Sequence, residues 1–297
     1  MTSAGKRVLI INADDLGYSR GINQAIQECS TAGMLRSATL MANGRAFDDA
    51  VATVRNNDNL CIGVHLALTE LPPVSPPGKL GRLADESGFL PDNPRELMTN
   101  LLAGRISKES IWQELNSQIG KVLDYGLKPT HLDSHKHVHV IPQVLDTVIE
   151  LARKFTIPWI RAPFDGASFF CLGRLMDRGH KPSFCAQFLK AKMIGAFRPT
   201  FHKHLRNSGL RSPDHFLGIS LTGNWNEALV MQLLEELPTG VTEWMVHPGN
   251  CDEELEGLRT RLLQQRENER DLLLSNHLQR KLEQRGIIVS SFRQEDV

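Results

Sequence analysis

The chain is short of the features that mark several large protein classes. Its five cysteines (Cys29, Cys61, Cys171, Cys185 and Cys251) are odd in number and contain no Cys-x-x-Cys pair. This reads as buried free thiols in a reducing cytoplasm, not as a disulfide scaffold. Lys+Arg and Asp+Glu both number 34, so the formal net charge is zero. The basic excess of a nucleic-acid binder is missing. No run reaches the ~20 apolar residues of a membrane span, and Met1 to Arg7 lacks the apolar stretch of a signal peptide. There is no Gly-x-Gly-x-x-Gly, no Walker-type loop and no internal repeat, so a nucleotide fold has no positive support. What remains is an ordinary globular composition, 41% hydrophobic and 23% charged over 297 residues. That length suits a single barrel-type domain over residues 1–297.

Along the chain, short apolar runs alternate with helical segments. Val8-Leu9-Ile10-Ile11 reads as a strand buried on both faces. Further strands are expected at Ser37–Met41, Cys61–Leu68, Thr130–Asp133, Trp159–Ala162, His215–Leu221, Glu243–Val246 and Ile287–Phe292. Helices are expected at Gly21–Ala32, Ala46–Arg55, Pro94–Leu102, Lys108–Tyr125, Ile141–Phe155 and through Leu258–Arg285. Leu71 to Pro94 is a loop rich in Pro and Gly. Strands alternating with helices imply an α/β fold with a mainly parallel sheet. A distorted (β/α) barrel is favoured over an open doubly wound sheet, because side chains of metal-binding type follow strands one, three, four and seven and would meet at one mouth. The segment 165–214 breaks the rhythm. It is rich in Phe and Lys and reads as an insertion or lid over the barrel. Phe184, Phe188 and Ala191 at helical spacing, with Lys190 and Lys192 among apolar neighbours, also suit an interface or peripheral contact with an anionic membrane.

Three segments carry the chemistry. Ala13-Asp14-Asp15-Leu16-Gly17 and Gly63-Val64-His65-Leu66 each close a strand. In the third, His131, Asp133, His135, His137 and His139 stand at alternate positions, so an extended backbone would send all five side chains to one face. Imidazole and carboxylate together are ligands of a borderline divalent metal. Asp15, His65 and His135 would supply one carboxylate and two imidazoles, leaving an open position for water. Consecutive aspartates serve one site only if the chain turns there, and Gly17 permits a turn. One carboxylate would bind the metal while the other takes a proton from the water.

These segments, with Trp244-Met245-Val246-His247-Pro248-Gly249, resemble the signatures of the YdjC/ChbG family of carbohydrate deacetylases, in the family's order, over about residues 7–290. The resemblance implies a distorted β/α barrel of the glycoside hydrolase/deacetylase type. It also implies metal-dependent removal of acetyl groups from N-acetylated amino sugars. Chitooligosaccharides are substrates of one branch, and glycosylated hopanoid lipids are associated with another. By resemblance Asp14 is the general base, and Asp15, His65 and His135 are the metal ligands. His247 is a second catalytic group suited to protonating the leaving amine. Arg161 orients a carboxylate or binds substrate. His137 and His139 support the site or face substrate, and Asp133 supports the strand end. The family is described with magnesium, while the donor set also suits zinc or another transition metal. A backbone N–H near Leu16 or Gly17 would help hold the oxyanion. Leu16 stands where the family usually has Phe, which alters packing beneath the site but no ligand. A homodimer is expected.

Three other readings compete. His137-Val138-His139 has the His-x-His spacing of amidohydrolase and phosphoesterase barrels. Asp14 and Asp133 could form the carboxylate pair of a metal-free glycosidase. A non-catalytic sugar- or metal-binding protein would bind ligand without releasing acetate.

Overall fold

The computed structural model describes residues 5–165 and 183–293. Among these, eight strands form one curled parallel sheet: β1 (Arg7–Leu16), β2 (Ser37–Leu40), β3 (Cys61–Leu66), β4 (His131–Ser134), β5 (Trp159–Ile160), β6 (His215–Leu217), β7 (Gly240–Val246) and β8 (Ile287–Ser290). The strand order is β5-β4-β3-β2-β1-β7-β6. β7 lines one side of β1; on the other, β8 pairs with Arg7–Ile10 and β2 takes over from Asn12. Two isolated bridges link segments at the sheet's edges without pairing β5 to β6: Trp159 to Arg211 and, past the end of β5, Asp165 to Phe216. The Asp165 carboxylate reinforces the second by accepting from the Ser220 N–H (2.8 Å) and hydroxyl (2.7 Å). The sheet is therefore a half-barrel curl, consistent with the distorted barrel expected.

β1 is buried along its whole length after Arg7, as the apolar run dictates. Its outer cover includes the helix Arg20–Thr31. Ser19 caps that helix, its hydroxyl accepting from the Ile22 N–H, and Ile22, Ala25, Ile26 and Cys29 form the buried stripe. The helices Phe47–Arg55, Pro94–Leu102, Lys108–Asp124 and Pro142–Lys154 lie within a residue of expectation. The helical stretches expected within Leu258–Arg285 are two helices, Gln264–Leu273 and Asn276–Gln284, separated where Ser275 caps the second. A helix at Glu227–Glu235, capped by Asn226, was not anticipated.

The alternating histidines do not share one face. β4 ends at Ser134, and His135–Val140 is a tight turn in which Lys136 (φ 55°) and His137 (φ 60°) are left-handed. Of the segment 165–214, residues 166–182 lie outside the described residues, as does the Phe184 side chain. The rest forms the helices Ser183–Gly195 and Arg198–Arg206. Phe188 and Ala191 are buried, so this face does not look outward as a membrane contact would require; the exposed apolar residues are Leu189 and Met193, each 62% accessible.

Gly63 has a steric reason. A Cβ there would lie 2.5 Å from the His131 carbonyl oxygen and 2.7 Å from its ring. Gly63→Ala should therefore push β4 from β3 and lower the unfolding free energy by roughly 1–3 kcal/mol, the usual cost of overpacking. An unchanged denaturation midpoint would show that β4 yields freely.

Candidate active site

The two aspartates share a site because β1 breaks its register. Ala13 pairs with Ala38 and Leu16 with Leu40, so three steps on β1 match two on β2. The extra residue is a bulge at Asp14-Asp15, and Asp15 itself is left-handed (φ 68°). Both carboxylates thereby line a cavity of about 640 Å³ at the carboxyl ends of the strands. Among the described residues, four of the five non-glycine residues with positive φ (Asp15, Glu70, Lys136 and His137) line this cavity. Such conformations cost of order 1–3 kcal/mol each and cluster where function demands them. Gly17, also left-handed, spends its N–H on the Asn23 side chain (2.7 Å), so that amide does not serve as an oxyanion donor.

Asp15, His65 and His135 converge, with ligand atoms all within 4.8 Å of one another. His65 Nε2 lies 3.5 Å and His135 Nδ1 3.4 Å from the same oxygen, Asp15 Oδ1. The opposite nitrogen of each ring meets a carboxylate: His65 Nδ1 meets Asp133 Oδ1 at 2.7 Å, and His135 Nε2 meets Glu70 Oε2 at 3.1 Å. Asp15 Oδ2 is held by Arg266 at 2.6 Å, which fixes the carboxylate and leaves Oδ1 facing the rings. Burial alone would raise the Asp15 pKa, but Arg266 and His135 outweigh it and hold the group well below the usual carboxylate range. Burial would likewise lower His65, yet Asp133 and Asp14 push it up to about 9. The carboxylates thus create a field that favours positive charge where the three donors meet.

Asp14 belongs to a second network. Arg161, wholly buried, grips it with two bonds, Nη1 to Oδ2 (2.7 Å) and Nη2 to Oδ1 (2.6 Å). The same guanidinium meets Asp133 Oδ2 at 2.6 Å and donates from Nε to Glu243 Oε1 at 2.8 Å. Burial opposes ionisation of Asp14, but Arg161 and His65 bring its pKa down to about 2. Glu243 goes the other way, pushed up to about 7 by burial despite Arg161. Asp14, His65 and Asp133 also lie close enough to hold an ion. Arg161 already occupies both of those carboxylates, so the Asp15 trio offers the better set of free donors.

The remaining predicted residues separate. His247 Nε2 lies 4.0 Å from Asp14 Oδ2, and its Nδ1 3.9 Å from Glu269 Oε2. Burial lowers its pKa to about 4 despite Asp14 and Asp15. His137 lines the cavity with Nδ1 unpartnered. His139 is fully buried, its Nδ1 at 2.6 Å from the Ser134 hydroxyl and its Nε2 at 3.0 Å from the Arg161 carbonyl. It therefore braces the Arg161 backbone and does not face the cavity. His131 meets Asn12 and Thr130 and stacks on Phe292 at 3.9 Å, beneath the site. Arg161 faces carboxylates and does not line the cavity.

Glu70, Glu243, Arg266 and Glu269 were not foreseen. Glu243 left a trace as a charge inside an apolar strand. Glu70 follows β3 closely. Arg266 and Glu269 lie in Gln264–Leu273, whose sequence reads as a solvated helix.

A curled parallel sheet with a buried aspartate–histidine cluster at its carboxyl mouth is the arrangement of the β/α-barrel class, whose sites lie at the strand ends. The chain belongs to the YdjC-like protein family, whose sequence model matches residues 8–284. It is similar to the carbohydrate deacetylase of Thermoanaerobacter pseudethanolicus, with 27% identity over 286 residues, covering 96% of this chain and 98% of that one. It is 39% identical over 156 residues to the carbohydrate deacetylase of Brevibacillus brevis, but that match spans only 52% of this chain and 59% of the relative. Among solved structures it is similar to an Enterococcus faecalis protein described as a candidate cellobiose-phosphate cleavage protein. The TM-score is 0.77 at 25% identity, over 99% of this chain and 100% of that one.

Proposed function

We propose that the protein is a metal-dependent carbohydrate deacetylase that hydrolyses the acetamide of an N-acetylated amino sugar. The observation that carries this is the shared oxygen Asp15 Oδ1, faced by one nitrogen each of His65 and His135 while the opposite nitrogens rest on carboxylates. Metal-ligating histidines are usually oriented by such carboxylates. Asp15, His65 and His135 would hold the ion. The imidazole pair suits a transition metal better than magnesium, which prefers oxygen donors. An ion held there would polarise the acetamide carbonyl and acidify a bound water, which is why a base as weak as Asp14 suffices.

The chain's own groups then divide the proton traffic. Asp14, held ionised by Arg161, takes the proton of the attacking water at Oδ2. His247 Nε2, 4.0 Å away, is placed to carry a proton to the departing amine nitrogen. Glu269, pushed up to about 7 by burial, accepts the His247 backbone N–H and sits behind the ring as a group that can hold a proton near neutral pH. The cavity of about 640 Å³ has room for a sugar of one or two units.

The rival readings lose support from the same contacts. His139 cannot complete a His-x-His metal pair while both its nitrogens are engaged. Asp133 is fully buried on Arg161 and His65, so it is unsuited to a glycosidase pair with Asp14. Purified protein should release acetate from N-acetylated sugars, lose that activity on exhaustive chelation, and regain it with about one metal equivalent per chain. Turnover that survives chelation would end the metal reading, and sugar binding without acetate would favour a binding protein.

A further inference from the structure

The interior of a β/α barrel is ordinarily filled by branched apolar side chains. Here a histidine is packed beneath the site. His131 is wholly buried and does not line the cavity. Two neighbours shape its seat. Gly63 leaves room that a Cβ would fill, 2.7 Å from the ring, and Phe292 stacks on the ring with centroids 3.9 Å apart. Both ring nitrogens are engaged. Nδ1 lies 3.0 Å from the Thr130 hydroxyl and Nε2 lies 2.9 Å from Asn12 Oδ1. Asn12, also wholly buried, donates from Nδ2 to Asp14 Oδ1 at 3.2 Å and to the Thr39 hydroxyl at 3.4 Å. Replacing such a polar pair by apolar groups of the same shape is nearly neutral or stabilising, so stability alone does not account for it.

The contacts have a direction. Asp14, gripped by Arg161, is a carboxylate and can only accept, so the end of the Asn12 amide that meets it is Nδ2. Asn12 Oδ1 is left for His131 and also only accepts, so Nε2 carries the ring's proton. Burial, and then the charge of Arg161, hold the His131 pKa well below the ordinary histidine value, which leaves a neutral ring with one N–H to give. Nδ1 is then an acceptor, and the Thr130 hydroxyl donates to it; the Ile62 carbonyl, that hydroxyl's alternative acceptor, is farther at 3.2 Å. The Cys61 thiol, 2.9 Å from Thr130 Oγ1, completes the order by donating to that oxygen, since burial pushes its pKa up and keeps the sulfur protonated. With the ring's proton on Nδ1 instead, Asn12 would turn its amide over to reach Nε2. Its oxygen would then face the Asp14 carboxylate, acceptor against acceptor. The tautomer of His131 thus decides which end of the amide meets Asp14. We propose that His131 is a positioning residue for the base: through Asn12 it holds Asp14 Oδ1, so that Oδ2 stays turned toward the attacking water and His247. Its effect on rate rests on the reading of Asp14 as general base; the order of the hydrogen bonds does not.

The test uses the full-length, zinc-loaded protein with N,N′-diacetylchitobiose as substrate. Nitrogen NMR of the imidazole-labelled parent should place the His131 proton on Nε2, the signal being assigned by its loss in His131→Phe; a proton on Nδ1 overturns the proposal. His131→Phe keeps a ring for Phe292 to stack on but removes the donor, so Asn12 is free to turn. It should lower kcat about tenfold, the worth of one hydrogen bond, and leave KM and bound metal within about twofold of the parent. His131→Gln, whose amide keeps a donor, should recover most of the loss. In an Asp14→Asn background, His131→Phe should change the residual kcat by less than about twofold, because the group it positions is already gone. An equal loss in both backgrounds is the mark of a merely structural role and overturns the proposal, as does a loss of metal that matches the loss of rate. Should His131→Phe fail to fold, Asn12→Ala in the same two backgrounds gives the same comparison, and His131→Gln assigns the nitrogen signal. A parent that releases no acetate from any N-acetylated sugar overturns the deacetylase reading; the nitrogen spectrum then decides the order of the bonds by itself, Nε2–H supporting it and Nδ1–H overturning it.

Discussion

Asp14→Asn should keep its metal and lose about 10²–10⁴-fold in kcat, the range expected when a positioned general base is removed. The substitution is nearly isosteric, and the closest hydrogen bonds Asp14 accepts come from Arg161 and, at 3.2 Å, from Asn12, none of them from the three proposed ligands. Arg161 retains Asp133 and Glu243, so the guanidinium stays anchored. The amide cannot hold the water's proton. Elemental analysis of the purified variant and an acetate-release assay check both halves. A kcat within tenfold of the parent would remove Asp14 from the proton path.

Arg161→Met should be the most damaging single change to stability. The guanidinium is the only cation in contact with three buried carboxylates, Asp14, Asp133 and Glu243, among the described residues. Removing one partner of a buried ion pair typically costs about 3–5 kcal/mol, because the other charge is left uncompensated. The loss should depend on pH in a stated direction. Glu243 already titrates at about 7, above its unfolded value, so its ionisation opposes folding at higher pH. Without Arg161 that opposition grows. The gap between variant and parent should narrow as pH falls from 8 to 5 and the carboxyl takes up its proton. Chemical denaturation at the two pH values decides it; a gap that widens toward acid would reverse the assignment of Glu243.

The sequence revealed strand ends better than it revealed what stands behind them. Asp14, Asp15, His65, His135 and His247 were legible because a β/α unit places the residue after each buried run at the mouth, and polar residues there stand out against apolar ones. The alternating histidines were misread for a local reason. Lys136 and His137 adopt left-handed backbone, which composition does not announce in non-glycine residues, and this turns His137 and His139 apart. Arg266 and Glu269 were invisible because their helix reads as solvated; only its packing against the mouth makes those two positions interior. The lysine at 190 was noticed for its surroundings in sequence and assigned to an outward face. The helix turns it the other way, into the cavity wall.

The placement of β1 also bears on how the chain comes to be folded. β1 is made first, yet along Arg7–Ile10 its neighbours are β7 and β8, which begin at Gly240 and Ile287. Until those residues leave the ribosome, this half of the strand has no partner on either side, and its apolar run is a template for the wrong strand. The proposed metal-binding carboxylate waits equally long, since its clamp, Arg266, is near the end of the chain. Pairings of such sequence separation close slowly. The protein should therefore depend on protection of its amino-terminal half during synthesis, and fragments ending before residue 240 should aggregate even though they carry Asp14, Asp15, His65 and His135 intact.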